Sequence, residues 1–267
     1  MSYRTFFGLK SKPFAADLPL AAILKTEDLQ EVQQRILYTI DLGAIALVTG
    51  EVGAGKSTAL RWVCGQLHPS RYKPLWVTAT SGSILEVYRQ LLSELDIQTA
   101  SSSRAILTGL IRTQILNLVQ SKKQQPVLII DEASLLRLDV FAELHTLTQF
   151  EGDSKPYLPI ILAGQNNLAD NLLYRSAVPL ASRIVARRHL QEVNREGMAR
   201  YLAHHLNIAG LKHSPFDEQA VTAIHQGSGG LFRKANHLAR GALVAATSEK
   251  SQVVTAEHVR RAATELF

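Results

Sequence analysis

A single cysteine, Cys64, stands in the whole chain of 267 residues, so no internal disulfide can brace it. The thiol falls in an apolar stretch of helical character, where packing rather than reactivity is its expected role. No apolar run reaches the roughly 18 residues that a membrane-spanning helix needs. The first twenty residues carry Arg4, Lys10, Lys12 and Asp17 and do not read as a secretory leader, so the cytoplasm is the expected compartment. Repeats and low-complexity segments are missing. No His, Cys, Asp and Glu set has zinc-like spacing, and His204 and His205 are neighbours on one predicted helix that cannot share a face. Acids are missing from three long stretches, Val52–Leu85, Ile97–Ile130 and Asn171–Leu190, each of which holds four Lys or Arg.

What is present is 46% hydrophobic and 19% charged, with a net charge of +6. That is the composition of a soluble globular protein with a modest leaning toward polyanionic partners. Short apolar runs predict strands at Ile45–Thr49, Leu75–Ala79, Val127–Asp131, Ile160–Ala163 and Ile184–Ala186. Helical patterns lie between them, among them Arg104–Gln120, with Ile106, Leu110, Ile111, Ile115 and Leu118 on one face, and Leu135–Phe150. Strands alternating with long helices predict a mostly parallel α/β sheet. From about Leu190 the pattern is helical, over Arg195–Asn207, Asp217–Gln226, Phe232–Thr247 and Thr255–Leu266. The reading is an α/β domain over 1–190 and a small helical lid over 191–267. At the start, "FFGLKSKPF" predicts an irregular segment pinned to the core by Phe6, Phe7, Leu9 and Phe14.

The stretch "LVTGEVGAGKSTALRWV" fits the phosphate-loop pattern Gly50-x-x-x-x-Gly55-Lys56-Ser57 in its proper setting, after a buried strand and at the start of a helix. Glycines let backbone N–H groups converge on phosphate oxygens, and the helix N-terminus adds unpaired donors. Gly50, Gly53, Gly55, Lys56, Ser57 and Thr58 are the expected nucleotide-binding set. Lys56 should reach the β- and γ-phosphates, and Ser57 should ligate Mg²⁺. Hydrolysis further needs a metal-holding acid and a base for water. "PVLIIDEAS" supplies Asp131 for the metal shell and Glu132 as general base, at the end of a strand where an α/β sheet meets its ligand.

Together these motifs and the helical tail resemble an AAA+ ATPase: a P-loop NTPase with a parallel sheet flanked by helices and a helical lid. More narrowly, "FFGLKSKPF", "TGEVGAGKST", "IIDEAS", "ILAGQNNL" and "SGGLFRKANHLA" resemble the ExeA family over nearly the whole chain. The resemblance implies ATP and Mg²⁺ as cofactors. It implies that Gln165 is the polar sensor that orients the lytic water. It implies that Arg183 is the arginine finger reaching a neighbouring subunit, with Arg187 and Arg188 as competitors. It implies that Arg233 is the lid arginine on the phosphates, with Lys234 as fallback; Phe232 stands where relatives commonly have Pro. The N-terminal segment, through Pro13 and Phe14, would join the lid around the adenine.

Two purposes fit such an ATPase. Stand-alone proteins of similar motif content resemble transposition regulators of the TniB/TnsC and Mu B type. These form ATP-dependent rings or filaments on double-stranded DNA, select a target and stimulate a transposase. Lys73, Arg112, Lys122 and Lys123 are then the candidate DNA contacts, because unopposed basic residues neutralise phosphates. ExeA-type proteins instead assist assembly of a secretion pore, with a transmembrane segment and a wall-binding region added. The end of the given chain at Phe267 without those additions favours the DNA role. A third possibility is a nucleotide switch that holds an assembly together without turnover.

Overall fold

The structure is a computed structural model that describes residues 2–264. It contains two compact units. One is α/β and comprises Thr26–Gly50 and Lys56–Leu190; the other gathers the residues up to Lys25, Glu51–Gly55 and the chain from Gln191 onward.

The chain opens with a short helix, α1 (Tyr3–Phe7), which Ser2 caps and Gly8 ends in the left-handed region. Of "FFGLKSKPF" only Phe6 and Phe7 are helical, at the end of α1; from Gly8 on the segment is irregular, as expected. Its anchors Phe7, Leu9 and Phe14 are buried in the core of the helical unit, so this segment belongs with the helices that follow Gln191 and not with the α/β unit.

In the α/β unit, α2 (Glu27–Leu42) starts at Thr26, whose hydroxyl accepts from Leu29 N–H, with Glu27 and Asp28 in its first turn. Next come β1 (Ile45–Gly50), α3 (Lys56–Gln66), β2 (Tyr72–Thr78), α4 (Ile84–Glu94) and α5 (Arg104–Leu116). Then follow β3 (Gln125–Asp131), α6 (Leu138–Leu147), β4 (Ile160–Gly164), α7 (Asn167–Asn171), α8 (Val178–Ala181) and β5 (Ile184–Leu190). Among the described residues these strands form a five-stranded sheet in the order β2-β3-β4-β1-β5, all pairs parallel. The five expected strands are thus the five found. β1 is buried along its length, as a central strand covered on both faces must be. The outer edge of β2 is covered by side chains of α4: Trp76 N–H donates to Glu94 Oε2 at 3.1 Å, and Gln90 exchanges 3.0 Å bonds with the N–H and C=O of Thr78. An open edge is thereby closed to further strands.

Two helices differ from expectation. The buried face of α5 is Leu107, Ile111 and Ile115, continued by Leu118, while Ile106 is half exposed. The regular helix ends at Leu116 and passes into a wider turn over Asn117–Ser121. Ahead of α6, residues Ala133–Leu135 form a tight 3₁₀ turn, so the helix begins at Leu138 and not at Leu135.

The helical unit adds α9 (Arg195–Ile208), α10 (Glu218–Ser228), α11 (Phe232–Ser248) and α12 (Ala256–Thr264). Asn194 and Asp217 cap α9 and α10 through their side chains. The last residues of the helix expected to reach Leu266 lie outside the described residues. Cys64 is half-buried in α3, and burial pushes its thiol up to about 11, which makes it unreactive at neutral pH.

Candidate nucleotide site

The C-terminal ends of the central strands carry the predicted chemistry. β1 ends at Gly50, the loop Glu51–Gly55 follows, and α3 begins at Lys56. Gly53 and Gly55 have φ of 88° and 101°, values a side-chain-bearing residue rarely tolerates. Lys56 is 6% exposed, and its Nζ donates to Gly50 O at 2.9 Å. Ser57 is half-buried and Thr58 exposed in the first turn of α3, which contains no acid. The positive end of that helix is therefore not neutralised by its own side chains, as an anion site requires.

β3 ends at Asp131, which is 7% exposed and accepts from Glu132 N–H at 2.9 Å through Oδ1. Glu132 is half-buried and held at φ 54°, in the left-handed region. For a non-glycine residue that conformation costs on the order of 1 kcal/mol or more and clusters at functional sites. β4 ends at Gly164 against the same turn. A Cβ on Gly164 would lie 2.7 Å from the backbone nitrogen of Ser134, so only glycine permits this approach. Gln165 N–H then donates to Ser134 Oγ at 3.3 Å. The structure thus sets Gln165 beside the turn that holds Asp131 and Glu132. Ser134 and Gly164 were not among the expected site residues; the small residue at each position is the signal that could have marked the close approach.

Ser57 and Asp131 offer hard oxygens, the donor type that Mg²⁺ takes. Among the described residues no group of three or more His, Cys, Asp or Glu could hold a metal. The donor set suits an ion that keeps waters and phosphate oxygens as its remaining ligands, and it does not suit a metal caged by protein.

Arg183, just ahead of β5, is engaged within its own unit. Its Nη2 forks onto Asp153 at 2.6 and 2.5 Å, and its Nε donates to His145 Nδ1 at 3.2 Å. Burial and the adjacent guanidinium push His145 below its usual range. Arg188 pairs with Asp28 and Glu31 of α2, while Arg187 is exposed.

In the helical unit, Arg233 is exposed at the start of α11, beside exposed Lys234. Its backbone N–H donates to Gly53 O at 3.3 Å, so the residue expected to serve as lid arginine sits next to Gly53 of the glycine loop. Pro13 and Phe14 are both buried. Phe14 stacks on His205 at 5.4 Å between ring centroids and meets Phe216 edge-on at 6.3 Å. Its ring serves the core of that unit and offers no open face to an adenine.

Of the four DNA candidates, Arg112 stands apart from the other three. Arg112 Nη2 donates to the carbonyls of Thr146 and Gln149, and its guanidinium lies 5.3 Å over the Phe150 ring; it braces the fold. Lys73 pairs with Asp96 at 2.9 Å and holds that carboxyl below its ordinary range. Lys122 and Lys123 are exposed ahead of β3, and Arg71 is exposed next to them, its carbonyl accepting from Gln125 N–H. Lys73 pairs in register with Pro126, which puts Arg71, Lys73, Lys122 and Lys123 at the N-terminal ends of β2 and β3. Gly50 and Asp131 lie at the opposite end of the sheet.

A family model described as an AAA domain matches residues 40–172. The General secretion pathway protein A of Aeromonas hydrophila is 30% identical over 267 residues, which covers 99% of this chain and 48% of that protein. The chain therefore spans about half the length of this curated relative. Among solved structures, Cdc6p from Pyrobaculum aerophilum matches with a TM-score of 0.74 at 15% identity, over 95% of this chain and 70% of that one. The Aeropyrum pernix ORC1 protein in complex with DNA matches with a TM-score of 0.70 at 18% identity, over 95% and 68%. At such identities the likeness concerns the fold alone: a P-loop, AAA-type α/β architecture with a five-strand parallel sheet, followed by a helical part. No described helix is long and apolar enough to cross a membrane.

Proposed function

We propose that this AAA-domain protein, a relative of the ExeA family, binds Mg-ATP at residues 50–58 and hydrolyses it. The observation that supports this best is the gathering of Lys56, Asp131, Glu132 and Gln165 at the ends of β1, β3 and β4, with strain at Glu132 and a glycine-only approach at Gly164. The loop N–H groups and the start of α3 receive the phosphates. Lys56 exchanges its bond to the Gly50 carbonyl for phosphate oxygens. Ser57 and Asp131 hold the magnesium ion, which when bound offsets charge on the phosphate oxygens. Glu132 takes the proton of the attacking water, and Gln165 orients that water. Arg233 adds charge to the phosphates from α11. Arg183 acts in trans in a homo-oligomer only after its fork onto Asp153 opens.

The wider role is ATP-dependent assembly on double-stranded DNA, as a ring or filament that serves a transposase or another partner protein. The basic group at the N-terminal ends of β2 and β3 supports it, through contacts to phosphates and not to bases. A second reading, assistance in secretion-pore assembly, is favoured by the 30% identity along 99% of the chain to a protein named for general secretion.

Calorimetry of Mg-ATP with wild type and Lys56→Ala tests the site. Wild type should bind and the variant should lose at least about two orders of magnitude in affinity, since several charged hydrogen bonds to phosphate go with the lysine. Equal binding by the two, or none by folded wild type, would remove the nucleotide reading. Turnover with and without duplex DNA then separates the two roles, stimulation belonging to the first.

A further inference from the structure

We propose that Phe232 is a positioning residue for the phosphate loop: its ring faces Gly55 at close range, limits how far the loop can move and keeps it ready for nucleotide. The inference rests on the nucleotide-site reading above and adds a residue to it. Phe232 is the first residue of α11. Two of its ring atoms lie 3.5 and 3.7 Å from the point where a Cβ on Gly55 would stand, so the ring faces the bare side of that glycine across a space that one methyl group would fill. The next residue continues the grip: the Arg233 Cβ lies 2.7 Å from the corresponding point on Gly53, and its N–H holds the Gly53 carbonyl. Consecutive residues of one helix thus cover the two glycines whose left-handed φ shapes the loop.

The ring is braced from behind. Its centroid is 4.5 Å from that of Tyr201, and Tyr201 is 4.4 Å from His205, which stacks on Phe14. The Tyr201 hydroxyl donates to Asn236 Oδ1 at 2.9 Å and so returns to α11. All of these residues, with Glu51–Gly55, lie in the helical unit.

Backbone amides bind phosphate well only when they already converge, and glycine is the residue with most conformational freedom to lose. A ring facing Gly55 across so narrow a space limits that freedom before nucleotide arrives. The expected signature is therefore a weaker nucleotide complex without the ring, with little change in turnover once the site is filled.

The test uses the full chain and a fluorescent ATP analogue with Mg²⁺. Phe232→Pro removes the ring while suiting the first position of a helix; Phe232→Tyr keeps the ring. The proline variant should bind about tenfold more weakly, the scale expected when one ordering interaction is removed. Its melting temperature should stay close to that of wild type, its turnover at saturating ATP should be nearly unchanged, and the tyrosine variant should bind as wild type does. A proline variant that binds as tightly as wild type overturns the inference, as does one whose loss appears in turnover and not in affinity. Should the proline variant fail to fold, Phe232→Leu replaces it: the same weakening supports the inference, and undiminished affinity overturns it. If folded wild type binds no Mg-ATP, the nucleotide reading falls and this inference falls with it. If wild type binds and only the Phe232 variants are without effect, the site stands and the inference alone is lost.

Discussion

Two buried regions of this protein treat ionisable groups in opposite ways. At the ends of β1, β3 and β4, an amine and a carboxyl are kept almost out of water, Lys56 against the Gly50 carbonyl and Asp131 against the Glu132 amide. Around them the backbone is strained at Glu132 and pressed close at Gly164. In the helical unit, the rings of Phe14, His205, Tyr201 and Phe232 touch in succession, the first pair stacked and the others tilted, in a cluster whose titratable groups are kept neutral. Burial pushes the His205 imidazole down to about 4, with His204 adding to the effect, and pushes the Tyr201 phenol up to about 12. A packing core lowers its energy by leaving titratable groups neutral, whereas a site for phosphate retains desolvated polar groups and strain because its ligand completes them.

The sharpest way to break this contrast is at Glu132. Glu132→Gln keeps the shape and the left-handed backbone but removes the base. Turnover should fall by about 10² to 10⁴, the usual contribution of a positioned general base, while Mg-ATP affinity and melting temperature stay near those of wild type. Undiminished turnover would take the base role from Glu132. A wild type with no turnover, alone or with DNA, would favour a switch that holds nucleotide without hydrolysing it.

The ring cluster gives the next largest effect, and its sign follows from the direction in which the imidazole is pushed. His205 binds its proton less readily folded than unfolded, so acid favours the unfolded chain. Its contribution is complete above the ordinary value of about 6.5 and is lost progressively as pH falls toward about 4. With His205 only 4% exposed, the full loss is on the order of 3 kcal/mol, at about 1.4 kcal/mol for each tenfold change in proton affinity. Thermal melts of wild type and His205→Phe between pH 7 and pH 4 measure it. The wild type should lose stability faster across this window, and parallel acid limbs would mean that the histidine is not held neutral.

How far each region was legible differs for a physical reason. The five strands and the loop from Gly50 to Thr58 could be read directly, because an unbroken apolar run, glycines and a Lys-Ser pair constrain their own few residues. Asp131 and Glu132 were legible as a strand end. The Gly164–Ser134 approach was not, since the parallel register brings together positions about thirty residues apart. Nor was the place of Phe14: its burial against His205 and Phe216 depends on helices nearly two hundred residues later. The apolar face of α5 was misread by one position at Ile106 because Leu107 fits the same helical period. Arg112 looked like a free cation among acid-free neighbours, yet its partners are backbone carbonyls, which no count of charges reveals.

The smallest effect concerns a third kind of region, where charge is simply left in water. Lys122 and Lys123 are exposed and Lys123 has φ 54°, so Lys122→Ala with Lys123→Asn removes both charges and suits the left-handed position. Stability should change by no more than about 0.5 kcal/mol, as at other exposed sites. If the pair touches duplex phosphates, affinity should fall equally for unrelated sequences. The slope of log affinity against log salt should become shallower by about 2, nearly one for each phosphate no longer neutralised. An unchanged slope in a wild type that does bind DNA would move the DNA-binding surface elsewhere on the molecule. A wild type that shows no ATP-dependent DNA binding at low salt would leave these lysines as solvated surface and give the secretion reading precedence. Charge in water influences a partner at a distance without stabilising the fold, and its removal should register only when that partner is present.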